Sequence, residues 1–245
     1  MPTTPCCGRS CGTRSSRACR SGSSSRGSSS PPRHWTVSVS RVLLPSGTEA
    51  ILVSPAEPVA GLVLLTDIFG LRPLFDELCT RLAEEWNVAV CAPDPYPGIA
   101  DPGDVTARLA LAADTPDSVK LRQIGEAADA TGCARQLLLG FCQGGGYAYK
   151  AAADVRYERL VSFYGPVQPG ALDALEGNGD RLLALVGWLD PLIMCSDVRA
   201  LDALGVTVVR YYEASHGFAH DSSRPAHRPA DAADAFRRAR EWLKV

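Results

Sequence analysis

The stretch Leu137-Leu-Leu-Gly140-Phe-Cys142-Gln-Gly144-Gly-Gly146 decides the fold. Its first half is an apolar run with the length of a buried strand, and a single Cys then precedes three consecutive Gly. Ala-rich sequence typical of a helix begins at residue 147. The order of these parts predicts a strand, a sharp turn and a helix.

The spacing Gly140-x-Cys142-x-Gly144 is typical of a nucleophile elbow, with Cys where Ser is usual. Gly is needed on both sides because the strand and helix backbones approach too closely for a Cβ. The turn would place Cys142 at a helix N-terminus, which favours a thiolate and an oxyanion. The alternative is a buried structural Cys. A dinucleotide fingerprint is excluded by Tyr149, and a P-loop by Gly146-Tyr147.

Residues 1–33 differ in composition from the rest of the chain. They contain ten Ser, six Arg, four Gly and four Cys, and no acidic residue. They have almost nothing to bury, which predicts a disordered tail or an artefact of an upstream start, with a targeting segment as the alternative. The folded domain is predicted at residues 34–245. Since the whole chain has a net charge of −2, this domain carries −8, which argues against nucleic acid as a partner.

The composition predicts one folded domain of moderate size. A chain of 245 residues with 46% hydrophobic residues can bury one sizeable core. No apolar run approaches the roughly 18 residues of a membrane span, so no membrane partner is expected. The nine Cys lack the paired spacing of a zinc site, and five are scattered singly through apolar segments. This pattern favours reduced thiols in a cytoplasmic protein.

Apolar runs alternate with helical stretches along the domain. Residues 35–42 alternate with period two and are followed by a second short strand at 49–53, which predicts an antiparallel hairpin. A continuous apolar run, typical of a parallel strand buried on both faces, occurs at 61–65, and further strands are predicted at 88–92, 137–140, 160–164, 182–186 and 206–212. The chain therefore predicts an α/β fold, a mostly parallel sheet of about eight strands with helices on both faces.

Ligands of such sheets bind beyond the carboxyl ends of the strands. The polar residues expected at that edge are Asp67, Cys142, Tyr164, Asp190 and His216.

A Cys nucleophile requires a base, and the base requires an acceptor that orients it. In α/β-hydrolases these partners follow the nucleophile in the order acid, then His. Asp190 follows the strand at 182–186, and His216 lies just beyond the last predicted strand. The alternatives are a helix N-cap for Asp190 and a surface loop for His216. His220 and His227 lie in a polar, Pro-rich region, which predicts that they are solvated.

Taken together, these features resemble the dienelactone hydrolase family of α/β-hydrolases, over about residues 40–244. The matching pieces are Asp67-Ile-Phe-Gly70, Ala92-Pro-Asp-Pro-Tyr96, Gly140-Phe-Cys-Gln-Gly-Gly145, Phe163-Tyr-Gly165, Gly187-Trp-Leu-Asp190 and Ser215-His-Gly-Phe218. The resemblance implies an α/β-hydrolase fold with Cys142 as nucleophile, His216 as base and Asp190 as its orienter. It also implies an oxyanion hole formed by the backbone N–H groups of Gln143 and Ile68.

The chain departs from the family pattern where the family binds its substrate. Asp67 replaces a Glu that helps to generate the thiolate in the family, and Asp is one methylene shorter. Gly217 and His220 replace a Ser and an Arg that help to hold the substrate carboxylate, and His is a weaker clamp than Arg. The substrate therefore need not be a dienelactone. Candidate substrate-binding residues are Tyr96, Tyr164 and His220, and Arg72 and Arg108 could bind a substrate anion.

The sequence favours a hydrolase that cleaves a small ester or lactone through an acyl-enzyme at Cys142, with Asp67 and His216 activating the thiol. No metal or organic cofactor is expected, and the protein is expected to be a monomer or homodimer. A thioesterase or acyltransferase with the same triad is the second hypothesis. A non-catalytic binding protein is the third, because the change at Asp67 could silence the thiol. Reactivity of Cys142 at neutral pH separates the catalytic hypotheses from the last one.

Overall fold

The structure of the protein is a computed structural model that describes residues 36–245, so the tail predicted at residues 1–33 lies outside the described residues. One sheet of eight strands forms the centre of the domain. The strands are β1 (Val37–Leu43), β2 (Glu49–Pro55), β3 (Gly61–Leu65), β4 (Ala89–Pro93), β5 (Gln136–Phe141), β6 (Tyr157–Phe163), β7 (Leu182–Gly187) and β8 (Thr207–Tyr211).

The strands lie in the order β1-β2-β4-β3-β5-β6-β7-β8. β1 pairs antiparallel with β2, and β2 pairs antiparallel with β4, whereas all the other neighbouring strands are parallel. The predicted opening hairpin and the mostly parallel sheet of eight strands are thereby confirmed. Because parallel strands end at the same edge, the loops after β3, β5, β6, β7 and β8 meet there.

Helices cover both faces of the sheet, as predicted. They are α1 (Pro73–Trp86), α2 (Val105–Asp114), α3 (Asp117–Ala130), α4 (Gln143–Ala151), α5 (Ala171–Leu175), α6 (Cys195–Ala203) and α7 (Pro229–Leu243). Buried residues of α1 and α7 pack with one face of the sheet, and those of α3 to α6 with the other. Strands β3, β4, β5 and β7 are buried along their whole length, which explains their unbroken apolar runs. No helix within residues 36–245 is both long enough and apolar enough to cross a bilayer.

Candidate active site

Cys142 occupies a strained turn between β5 and α4. Its φ of 52° and ψ of −114° lie in a region that residues other than Gly rarely adopt, at a cost of about 1–3 kcal/mol. A Cβ on Gly140 would lie 2.2 Å from the carbonyl oxygen of Gly144, and a Cβ on Gly144 would lie 2.6 Å from Leu65. Both positions therefore require Gly, and the predicted strand, turn and helix are confirmed.

Backbone hydrogen bonds hold the turn against its neighbours. The Cys142 amide donates to the Phe163 carbonyl at 3.0 Å, and the Gly144 amide donates to the Thr66 carbonyl at 3.1 Å. The segment that leads to Ile68 thus lies against the start of α4. In the part of the chain that the structure describes, the N–H groups of Gln143 and Ile68 donate to no protein acceptor. Free N–H groups at such a turn can receive an oxyanion.

The loops after β7 and β8 bring Asp190 and His216 together. The Leu189 amide donates to the Ala214 carbonyl at 2.9 Å, which joins the two loops. His216 Nδ1 and Asp190 Oδ2 are 2.7 Å apart, and Asp190 Oδ1 accepts from the Leu192 amide at 2.9 Å. Asp190 does not cap a helix, because the nearest helix, α6, begins five residues later.

His216 interacts with both Asp190 and Cys142. Burial alone would lower the pKa of His216, but the Asp190 carboxylate at Nδ1 and the neighbouring Cys142 sulfur outweigh burial and raise that pKa to about 9. The side chain of Asp190 is fully buried, whereas that of His216 is 17% exposed. Since Nδ1 faces the carboxylate, Nε2 is the nitrogen left for the sulfur. The structure therefore brings together Cys142, His216 and Asp190, in the order that the sequence suggests.

Asp67 lies at the end of β3, but its carboxylate is fully occupied by other groups. Oδ1 accepts from the Phe69 amide at 2.9 Å and from Arg72 at 2.7 Å. Oδ2 accepts from Arg72 at 2.9 Å and from His220 at 2.8 Å. Burial alone would raise the pKa of Asp67, yet the bonds from His220 and Arg72 hold it well below its usual range. None of the hydrogen bonds of Asp67 in the described structure reaches Cys142.

The prediction that His220 is solvated is wrong. Its side chain is 1% exposed, and its ring stacks on Phe75 and Phe141 at centroid distances of 5.6 and 4.9 Å. Nδ1 bonds to the hydroxyl of Tyr164, which is also fully buried. His220 and Tyr164, both candidate substrate-binding residues, thus lie inside the protein. The only hint in the sequence is the apolar pair Phe218-Ala219 directly before His220.

A cavity of about 530 Å³ lies beside the loop that carries Ile68. Its lining includes Phe69, Arg72, Tyr96, Arg108 and Arg224. The three guanidinium groups lie 5.0 to 5.8 Å from the centre of the Phe69 ring.

Contacts of the lining residues tie this cavity to the proposed oxyanion hole and to the His216 loop. The Tyr96 hydroxyl donates to the Ile68 carbonyl at 2.6 Å. Arg224 Nη1 lies 3.3 Å from the point where a Cβ on Gly217 would stand, so Arg224 touches the residue after His216. Sequence reasoning did not single out Arg224, because it lies in a polar, Pro-rich segment with no recognisable motif.

An eight-stranded sheet of this order with a Cys at the elbow, an Asp after β7 and a His after β8 defines an α/β-hydrolase. Comparison with known proteins identifies the family. Residues 48–245 match the model of the dienelactone hydrolase family. The chain belongs to the dienelactone hydrolase family and is a hydrolase of esters or lactones. The family and fold predicted from the sequence are therefore confirmed.

Individual relatives agree with this assignment. The chain is 29% identical over 246 residues to the carboxymethylenebutenolidase of Rhodococcus opacus, covering 89% of this chain and 94% of the relative. It is 30% identical over 214 residues to a candidate carboxymethylenebutenolidase of Escherichia coli O157:H7, with 76% and 77% coverage. The crystal structure of a candidate dienelactone hydrolase from Klebsiella pneumoniae subsp. pneumoniae MGH 78578 superposes with a TM-score of 0.74 at 22% identity, covering 85% of this chain and 99% of that one. That likeness shows the shared fold.

Proposed function

We propose that the chain hydrolyses a small ester or lactone through an acyl-enzyme on Cys142. The observation that carries this proposal is the bond of His216 to Asp190 with the Cys142 sulfur close enough to raise the pKa of His216, at an elbow that only a strained backbone allows. A protonated imidazole beside a sulfur favours the thiolate, which is the nucleophilic form of Cys.

The proposed reaction has two halves. In the first, His216 takes the thiol proton, the sulfur of Cys142 attacks the substrate carbonyl, and the amides of Gln143 and Ile68 receive the oxyanion. The C–O bond then breaks, and His216 returns the proton to the departing alkoxide. In the second half, His216 removes a proton from water, hydroxide attacks the thioester, and the acid leaves as the sulfur is released. Asp190 keeps the imidazole in the orientation that both halves need.

The cavity beside the loop that carries Ile68 favours a substrate with an anionic group. Arg72 is bound to Asp67, and Arg224 lies 3.5 Å from the Asp221 carboxylate. Arg108 donates to the carbonyls of Gly103 and Phe69, and within the described residues it forms no ion pair with a carboxylate. We therefore infer that Arg108 attracts the anionic end of the substrate. The relatives are called carboxymethylenebutenolidases, so a lactone that carries a carboxylate is the first candidate for the natural substrate to test.

Pre-steady-state kinetics test the proposal. Mixed with p-nitrophenyl acetate, the wild-type protein is expected to release a burst of p-nitrophenolate equal to its active-site concentration, followed by turnover. Cys142→Ala is expected to lose both phases. Cys133→Ala, which removes another partly exposed thiol away from the elbow, is the matched control and should keep both. A full burst from Cys142→Ala would refute the proposal.

A further inference from the structure

A second His–Asp pair lies buried beneath the elbow, and the reaction described above does not use it. Because an ionised carboxylate can only accept, His220 Nε2 is the donor to Asp67, while Nδ1 bonds to the Tyr164 hydroxyl. The result is a continuous chain of hydrogen bonds from Tyr164 through His220 to Asp67 and Arg72. Its first member, Tyr164, packs edge-on against His216 at a centroid distance of 5.3 Å.

This chain ends on the turn that carries one of the two amides of the oxyanion hole. The Asp67 side chain accepts from the Phe69 amide, and the Asp67 carbonyl accepts from the Gly70 amide at 3.1 Å, so Ile68 stands at the corner of a closed turn. The Asp67 carbonyl and the Ile68 N–H belong to one planar peptide group. The direction of the Ile68 N–H is therefore fixed when Asp67 is fixed.

The same contacts make Asp67 a poor acceptor for the thiol proton. Its two oxygens already accept four hydrogen bonds, two of them from a bidentate Arg72. Releasing an oxygen for Cys142 would break the bond to Arg72 or the buried bond to His220. A buried charge that loses its partner is costly, so the observed arrangement resists this change.

We propose that His220 is a positioning residue: together with Tyr164 it holds Asp67 in place and thereby directs the Ile68 amide at the oxyanion. Asp67 anchors this turn and does not receive the proton of Cys142. The inference rests on the proposed acyl-enzyme function. It predicts that the chain of Tyr164, His220 and Asp67 affects carbonyl chemistry at Cys142 and leaves the reactivity of the thiol itself unchanged.

Two reactions of the same sulfur separate these roles. Acetylation by p-nitrophenyl acetate passes through an oxyanion, whereas alkylation by iodoacetamide does not. His220→Phe keeps an aromatic ring between Phe75 and Phe141 but removes the bond to Asp67. We expect it to slow acetylation at least about tenfold, part of the 10²–10³-fold cost of a lost oxyanion donor, and to change alkylation of Cys142 less than twofold. His220→Gln, whose amide can donate to Asp67, should acetylate faster than His220→Phe.

Further variants control for damage to the fold. Tyr164→Phe removes the hydroxyl that binds His220, and we expect a smaller loss of acetylation than in His220→Phe. Tyr157→Phe is its matched control, since that buried hydroxyl donates to the Ile124 carbonyl on the other face of the sheet and both rates should stay at wild-type values. Thermal unfolding identifies any variant that does not fold.

The inference is overturned if alkylation falls in parallel with acetylation in folded His220→Phe, or if neither rate changes. An acetylation rate for His220→Gln no higher than that of His220→Phe would also contradict it. Failure of the proposed function looks different, because wild-type Cys142 would then not be acetylated at all.

Discussion

The two His–Asp pairs of this protein are chemically alike and differ in access. His216 lies 2.7 Å from Asp190, and His220 lies 2.8 Å from Asp67. The side chain of His216 is 17% exposed and lies beside a thiol. The side chain of His220 is 1% exposed, its ring stacks on Phe75 and Phe141, and it bonds to a tyrosine hydroxyl. Only the first pair can meet a substrate and exchange a proton with water.

The third partner decides what each pair can do. Beside His216, the partner is a Cys whose proton can leave, so the pair can generate a nucleophile. Beside His220, it is Tyr164, and burial raises the pKa of that hydroxyl well above its usual value. Because the Tyr164 hydroxyl keeps its proton, the pair of His220 and Asp67 can serve as a fixed hydrogen-bonded link but cannot generate a nucleophile. On the proposals made above, the same two residue types serve catalysis at the partly exposed position and positioning in the interior.

Removing His216 should have the largest effect on the reactions of Cys142 and should distinguish this pair from the buried one. We expect His216→Ala to lower the rate of acetylation about 10³–10⁴-fold, because both the base and its charge beside the sulfur are lost. Selective alkylation of Cys142 by iodoacetamide should be lost as well, in contrast to His220→Phe. Stopped-flow kinetics and peptide mass spectrometry measure the two effects. His227→Ala, which alters a His outside both pairs, is the control and should behave as wild type.

Removing Asp67 should destabilise the fold more than removing His216. Asp67→Ala leaves the Arg72 charge and the buried His220 without their acceptor, which we expect to cost about 3–5 kcal/mol in the free energy of unfolding. His216→Ala, at a partly exposed position, should cost less than about 1 kcal/mol. Urea unfolding of both variants gives the comparison. Equal losses of unfolding free energy in the two variants would mean that the buried pair stabilises the fold no more than the exposed pair does.

The pH dependence should follow the pKa of His216. Since that pKa is raised to about 9, imidazolium remains available to protonate a departing alkoxide up to that pH. For an alkyl ester, kcat/KM should fall above pH 9, about tenfold per pH unit, whereas a p-nitrophenyl ester, whose leaving group needs no proton, should show no such fall. Profiles for both esters from pH 6 to pH 10.5 test this. Identical profiles would contradict the assignment of His216 as general acid.

The two pairs should also affect stability in opposite pH ranges. The folded state holds the His216 proton more tightly than the unfolded chain, so this pair stabilises fully below pH 6.5 and its contribution is lost as the pH rises through about 9. The pKa of Asp67 is lowered in the folded state, so its contribution is present above its ordinary value of 3.8 and is lost as the pH falls below that value.

The smallest expected effect concerns substrate recognition by Arg108. Arg108→Gln should raise KM for an ester with a free carboxylate about tenfold and change KM for a neutral ester of the same size less than twofold, because one charge-assisted contact is lost. The value of kcat should stay within twofold in both cases. Arg122→Gln, at an exposed position on α3, is the matched control. An equal rise in KM for both esters would show that Arg108 supports the loop that carries Ile68 but does not bind the substrate carboxylate.

The local pattern and the order of the elements along the chain are enough to predict the fold and the residues that the structure gathers at the elbow. The elbow at Cys142 follows from Gly at positions where a Cβ would collide with backbone. Asp190 and His216 were found because parallel strands end at one edge, so residues that follow β7 and β8 must lie near the residue that follows β5.

The buried pair could not be predicted in the same way. Asp67 and His220 are 153 residues apart, and neither sits in a periodic apolar pattern. His220 lies in a segment rich in polar residues and Pro, which indicates a solvated loop, and only tertiary packing between Phe75 and Phe141 buries it. The bond between Asp67 and Arg72 is likewise not predictable, since the sequence presents Arg72 only as a candidate ligand for a substrate anion.

Locating the acyl group after reaction with p-nitrophenyl acetate is the most direct test of the account. The protein would be quenched in acid during the burst, digested, and mapped by mass spectrometry. We predict one acetyl group per chain, on the peptide that contains Cys142, and its disappearance once the ester is exhausted. A chain that turns over the ester with no label on Cys142, or with the label on another thiol, would contradict the assignment of the nucleophile.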